Sequence, residues 1–174
     1  MAEIIKTYKQ SIPAMRFIGK NYGDSKNTNW GANWGNAFET DIFGKIESAS
    51  GGEVKSHLAY EDNDAYLGMY YRNAETGAHD AWVGMFAPPE TPVDEGLAYI
   101  DFPEQNLGVY WIYGKQNEVY GMISQCPEKL VTAGMKIKAD EHGYVGSFER
   151  DQCPRFTTPD ENGNIILDYC YFVV

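Results

Sequence analysis

The sequence predicts an α+β domain of 174 residues assembled from two similar halves, about 1–90 and 97–174. Three observations predict it. Short runs rich in Val, Ile, Tyr and Phe, bounded by Gly, Pro, Asn and Asp, have the length and punctuation of strands. Two longer stretches have helical spacing instead. Finally, one order of elements occurs twice: short strand, proline or polar break, longer strand ending near glycine, helix, strand pair. Met15-Arg16-Phe17-Ile18 aligns with Leu107-Gly108-Val109-Tyr110 ~90 residues later. This spacing indicates an internal duplication rather than a short-period repeat array.

Ile4 to Tyr8 reads as the first strand, and Pro13 closes it. Met15 to Tyr22 is the second, leaving through Gly23-Asp24-Ser25, where Asp24 or Ser25 is placed to cap a helix. In that helix Trp30, Trp34, Phe38 and Ile42 recur every four residues, an aromatic stripe expected in the core. Gly31 and Gly35 weaken it, so packing has to hold it. Ser48 to Glu53 is a loop and Val54 to Tyr60 a strand. Strands at Ala65 to Tyr71 and His79 to Ala87 flank an Asn73–Gly77 turn, and Pro88-Pro89 and Pro92 begin the junction.

The second half opens with strands at Leu97 to Phe102 and Leu107 to Tyr113. A helix follows from about Glu118 to Ala133, with Gly134 suited to end it and Pro127 predicting a kink or break inside it. Val145 to Asp151 and Ile165 to Val174 complete the set, separated by a loop with Asn162-Gly163 as its turn.

Charge excludes some partners. Asp and Glu number 25 against 14 Lys and Arg, a net charge of -11, and no basic run is present. Phosphate backbones and anionic membranes are repelled, so direct nucleic-acid or membrane binding is not expected, whereas cationic ligands are attracted. Cys126, Cys153 and Cys170 make an odd count with no CxxC, and His57, His79 and His142 lack ligand spacing, so neither a disulfide framework, a metal site nor a cofactor is expected. With no leader pattern and no apolar run of membrane length, a cytoplasmic location is the expectation.

Three segments carry a family resemblance: Met15-Arg16-Phe17-Ile18-Gly19; Tyr99-Ile100-Asp101-Phe102-Pro103 with Leu107-Gly108-Val109-Tyr110; and Phe148-Glu149-Arg150 with the apolar Leu167–Val174 end. In order and chain length they resemble the GyrI-like family, the effector-binding domains of multidrug-sensing, AraC-type regulators and their stand-alone counterparts. The resemblance implies two βαββ-type halves, an antiparallel sheet with helices on one side, and a ligand groove between the halves. It also implies that Glu149, in the position of the family's Phe-Glu-x-Tyr glutamate, projects into that groove. Asp151 stands where the family has the tyrosine.

The residues themselves support two jobs for Glu149. Alternation puts Val145, Ser147 and Glu149 on one face and Phe148 and Arg150 on the other. A carboxylate among rings attracts a lipophilic cation, each aromatic face adding roughly 0.5–2 kcal/mol. Raised toward neutral pKa, it also serves as a general base. The rings nominated beside it are Trp82, Phe86, Tyr66, Tyr110 and Tyr169, each of which is equally at home packed in a sheet. Gly108 is expected to leave room beside Tyr110, and Trp111 to pack against the second helix.

The leading expectation is a stand-alone protein that binds small lipophilic compounds, cations among the candidates, in an aromatic groove with Glu149 at its centre. The alternatives are a small hydrolase opening strained-ring electrophiles with Glu149 as base, and an acidic protein inhibitor of a DNA-processing enzyme, which would act through a protein partner.

Overall fold

Turn chemistry and alternation place the strands close to where the sequence predicts them. In a computed structural model, residues 1–52 and 59–174 are described; most of the strand expected at 54–60 lies outside them. The chain divides into an inner unit, Ile12–Gln105, and a terminal unit made of Met1–Ser11 together with Asn106–Val174.

The inner unit contains β2 (Met15–Asp24), α1 (Trp30–Glu39), α2 (Ile42–Ala49), β3 (Tyr66–Arg72), β4 (His79–Ala87) and β5 (Ala98–Phe102). Its strands run in the order β5-β2-β4-β3, each neighbouring pair antiparallel. The turn joining β3 to β4 is tied by asparagine. Asn73 Oδ1 accepts from the amides of Glu75 and Thr76, while its own amide donates to buried Asp80 at 2.8 Å. Phe17, Ile18, Leu67, Met69, Val83 and Met85 are at most 1% exposed and form the core.

The first helix differs from its sequence reading in two ways. Asp24 and Ser25 do not cap it: Asp24 ends β2 and accepts from the Lys26 amide at 3.0 Å. Asn29 is the cap, accepting from the Ala32 amide at 3.0 Å. The stripe from Trp30 to Ile42 is not one helix face either, because Asp41 enters the left-handed region at φ 52° and splits the segment into α1 and α2. Aspartate tolerates that region better than most residues. What α1 buries is Asn33 and Ala37, while Phe38 is 58% exposed.

The terminal unit contains β1 (Glu3–Ile12), β6 (Gln105–Gly114), α3 (Gln116–Val119), a 3-10 segment (Tyr120–Gln125), α4 (Cys126–Thr132), β7 (Ser147–Asp151) and β8 (Ile165–Val173). Its strand order is β1-β6-β8-β7, with β8 antiparallel to both β6 and β7. The predicted break at Pro127 is present: the residue stands in the first turn of α4, where its missing N–H costs nothing. Gly134, at φ 79°, ends α4. The Gly134 amide donates to the Val131 carbonyl and the Met135 amide to the Leu130 carbonyl, both at 3.0 Å, the paired bonds of a Schellman turn.

Thus the architecture is α+β with antiparallel strands, as the sequence predicts. No helix among the described residues is long and apolar enough to cross a membrane.

Candidate ligand site

Three of the residues nominated from the sequence meet in one row of the terminal unit. Tyr110 on β6 pairs directly with Tyr169 on β8, and Tyr169 pairs with Glu149 on β7. Directly paired residues project to the same face of a sheet. That face carries the helices: the Tyr110 hydroxyl donates to the Cys126 carbonyl at the head of α4. Tyr110 and Tyr169 share a core with Val119, Cys126 and Leu130. Tyr110 is 0% exposed and Tyr169 3%, whereas Glu149 is half-buried. The Tyr169 hydroxyl and Ser147 Oγ share a hydrogen bond of 3.0 Å, which fixes the ring's outer end two residues before Glu149.

Two further residues stand with Glu149. Asp151, two positions along β7, projects to the same face. Its Oδ1 is closed off from solvent and has no hydrogen-bond partner. Burial first, then the charges of Glu149 and Asp168, push its carboxyl up to about 9. These surroundings favour its protonated form. Tyr120, on the 3-10 segment, is part of the same electrostatic group: burial first, then Glu149 and Asp151, raise its phenol. Sequence reasoning singled out Asp151 only as a departure from the family pattern. It missed Tyr120 altogether, since nothing in a run of Tyr-Gly-Met-Ile signals which strand it will lie against.

Two expectations beside Tyr110 are corrected. Gly108 leaves no room, because Leu130 already fills the space: a Cβ there would lie 2.5 Å from Leu130 Cδ2. Trp111 does not pack on the second helix. It follows Tyr110 in β6 and so takes the opposite face, where Lys6 Nζ lies 4.2 Å and the Arg155 guanidinium 4.9 Å from its ring centroid. That face also buries an ion-paired group. Arg150 and Asp168 are both 0% exposed, with Nη2 to Oδ2 at 2.7 Å, and Arg155 adds Nε to Oδ1 at 2.7 Å.

The inner unit holds the other nominated rings, on two faces. Trp82 and Phe86 on β4 pack edge-on against Phe17, at 6.0 and 5.9 Å between centroids. Tyr66 on β3 belongs to the helix-bearing face and stacks on Phe43 of α2 at 3.7 Å and 8°. Exposed Phe38 and half-buried Trp34 continue that aromatic cluster. Burial first, then Glu47, Asp41 and Asp64, raise the Tyr66 phenol, so acidic groups surround these rings as well. A separate hollow of about 310 Å³ in this unit is lined by Met15, Arg16, Glu90, Asp101 and Phe102, and none of the nominated residues reaches it.

Burial pushes the Cys126 thiol up to about 12, far from a thiolate. Among the described residues no group of three or more His, Cys, Asp or Glu is placed to hold a metal ion.

No protein-family model matches the chain, and no curated protein matches it significantly by sequence. Solved structures do match in fold. The chain is 10% identical to SAV2435, solved bound to tetraphenylphosphonium, with a TM-score of 0.66 over 98% of this chain and 94% of that one. It is 11% identical to a putative bacterial transcription regulation protein from Staphylococcus aureus, with a TM-score of 0.64 over 97% of both chains. It is also similar to a hydrolase from Listeria innocua, at 10% identity and a TM-score of 0.51 over 97% of this chain and 92% of that one. At such identities the likeness is one of fold, and the fold is GyrI-like.

Proposed function

We propose that this protein binds small lipophilic cations, with Glu149 as the charge that selects them and aromatic rings as the surface that holds them. The observation that carries the reading is the row Tyr110–Tyr169–Glu149: a half-buried carboxylate in register with two buried phenol rings, on the helix-bearing face of its sheet. A carboxylate in such surroundings gains from a cation that displaces little water, and ring faces add to it. Within this proposal Tyr169 borders the carboxylate directly. Tyr110 is a fixed wall behind it. The net charge of -11 favours cation capture and disfavours contact with nucleic acid or anionic membrane. The tetraphenylphosphonium bound by SAV2435 supports the chemical class. A cytoplasmic location, and a regulatory effect exerted through another polypeptide, belong to the same proposal.

Tetraphenylphosphonium titrated against tryptophan fluorescence tests it. Saturable binding is expected, and Glu149→Gln is expected to weaken it about 10- to 100-fold, the roughly 1–3 kcal/mol of one charge-assisted contact. Equal affinities in the two proteins would remove Glu149 from the site.

The pair of neighbouring carboxyls favours one second reading. Asp151, whose carboxyl is raised, stands beside half-buried Glu149, and two carboxyls in unlike surroundings can divide the roles of acid and base. A hydrolase would use Glu149 as general base on water. Product analysis of mixtures with strained-ring electrophiles separates the readings: intact compound means binding, and a hydrolysed product means turnover.

A further inference from the structure

We infer that Asp151 is a second carboxyl of the cation site, one that surrenders its proton when a cation arrives. The inference rests on the proposed binding function and adds to it a coupling between ligand and proton.

The geometry comes first. Glu149 and Asp151 are separated by one residue of β7 and face the same way, so two carboxyls share one patch of sheet. A buried carboxylate oxygen is stable only when hydrogen bonds or a counter-charge replace its lost water. Asp151 Oδ1 has neither a hydrogen-bond donor nor contact with solvent. The groups acting on Asp151 are Glu149 on its own strand, Asp168 on β8 and Tyr120 on the 3-10 segment. Two of these are acidic and the third is a phenol. The neighbouring cations do not rescue it, because Arg150 and Arg155 direct their guanidinium groups to Asp168. Holding a proton is the one state in which this side chain sits at low cost without a ligand.

A cation against Glu149 reverses that balance. Its field acts on Asp151 as well, favouring the ionised form, and the proton leaves to solvent. The exchange is balanced: cation in, one proton out, with no bond to carbon changed. It also sets a selectivity. Ionising Asp151 adds one negative charge to the pair, so affinity for a given cation rises with pH until Asp151 ionises unaided. The tyrosine usual at this place in the GyrI-like pattern provides no such exchange near neutral pH, because a phenol ordinarily ionises near 10.

Calorimetric titration of tetraphenylphosphonium into the full chain, in buffers of different ionisation enthalpy at about pH 8, counts the protons directly. A release between a few tenths of a proton and one proton is expected. Affinity is expected to climb up to tenfold per pH unit between about 7 and 9 and then level off, since binding and ionisation are linked. In Asp151→Asn the climb and the release both vanish. Release of no protons by the unaltered protein, or a pH profile retained in Asp151→Asn, overturns the inference and leaves the binding function standing. Failure of the unaltered protein to bind at any pH overturns both. The proton count needs no variant, so it decides the matter even if Asp151→Asn does not fold.

Discussion

Asp168→Ala is expected to cost about 3–5 kcal/mol of folding stability, the largest single loss in the terminal unit. Asp168 accepts from two arginines. Arg150 donates to Oδ2 through Nε at 3.0 Å and Nη2 at 2.7 Å, and Arg155 donates to Oδ1 at 2.7 Å and to Oδ2 at 2.5 Å. Arg150 also reaches Gln10 Oε1 at 2.8 Å and the Tyr8 hydroxyl at 3.3 Å. Removing the carboxylate takes two charge-assisted hydrogen bonds from a guanidinium that is 0% exposed. Exchanging Arg150 and Asp168 together for apolar residues of similar volume would remove the charge along with its partner and is far less damaging in principle. Urea denaturation reads the effect as a midpoint shift at unchanged slope. A loss under 1 kcal/mol would mean that the group is solvated in a way its burial denies. By contrast, the bidentate pair of Arg16 with Asp101 contributes little, because Asp101 is 57% exposed and water screens it.

Gly84→Ala is expected to destabilise the inner unit by about 3 kcal/mol or more, by forcing two backbones apart. Gly19 on β2 and Gly84 on β4 are direct partners. A Cβ on Gly84 would lie 2.1 Å from the Ile18 carbonyl oxygen and 2.6 Å from Gly19 Cα, and one on Gly19 would lie 2.4 Å from the Val83 carbonyl oxygen. The obstacle is main chain in every case, so no rotamer change relieves it. Thermal unfolding should show a fall of roughly 6–12 °C for a chain of this size. Gly35→Ala is the informative counterpart. Its Cβ meets nothing within 4 Å and the residue lies inside α1, so a gain of about 0.5–1 kcal/mol is expected from helix propensity. If both variants behaved alike, the crowding between β2 and β4 would not be real.

Much of the fold was legible because turns carry local chemistry. Asn73–Gly77, Gly134 and Pro127 act where their own backbone preferences place them, and the strands between such signals follow. The α1–α2 segment was less legible. Four-residue aromatic spacing reports a face but not what covers it, and a single left-handed residue, Asp41, turns Phe43 onto Tyr66 while leaving Phe38 in solvent. The same gap affected β6. Alternation separates Tyr110 from Trp111 without saying which meets the helices, since both neighbours are aromatic. Contacts from α4 decide it: Leu130, brought onto Gly108, and the Cys126 carbonyl, which accepts from the Tyr110 hydroxyl. At the candidate site, the placement of Glu149 in a strand followed from its neighbours. Its register with Tyr169 did not, because pairing depends on residues ~20 positions away in sequence. Tyr120 is distant in the same sense.

The outermost strands have a bearing on how the protein is made. β1 precedes β2 in sequence yet lies beside β6, and the Ser11 hydroxyl bonds Asn106 across 95 residues. At a synthesis rate of ~5–20 residues per second, the ribosome delivers β1 about 5–20 s before its neighbour exists. During that interval a nascent strand waits with its main-chain edges open. Its sequence is suited to the wait: Lys6 and Lys9 interrupt the apolar residues, the kind of charge that discourages pairing with other nascent chains. For this chain, the sixth strand translated decides when the first one is safe.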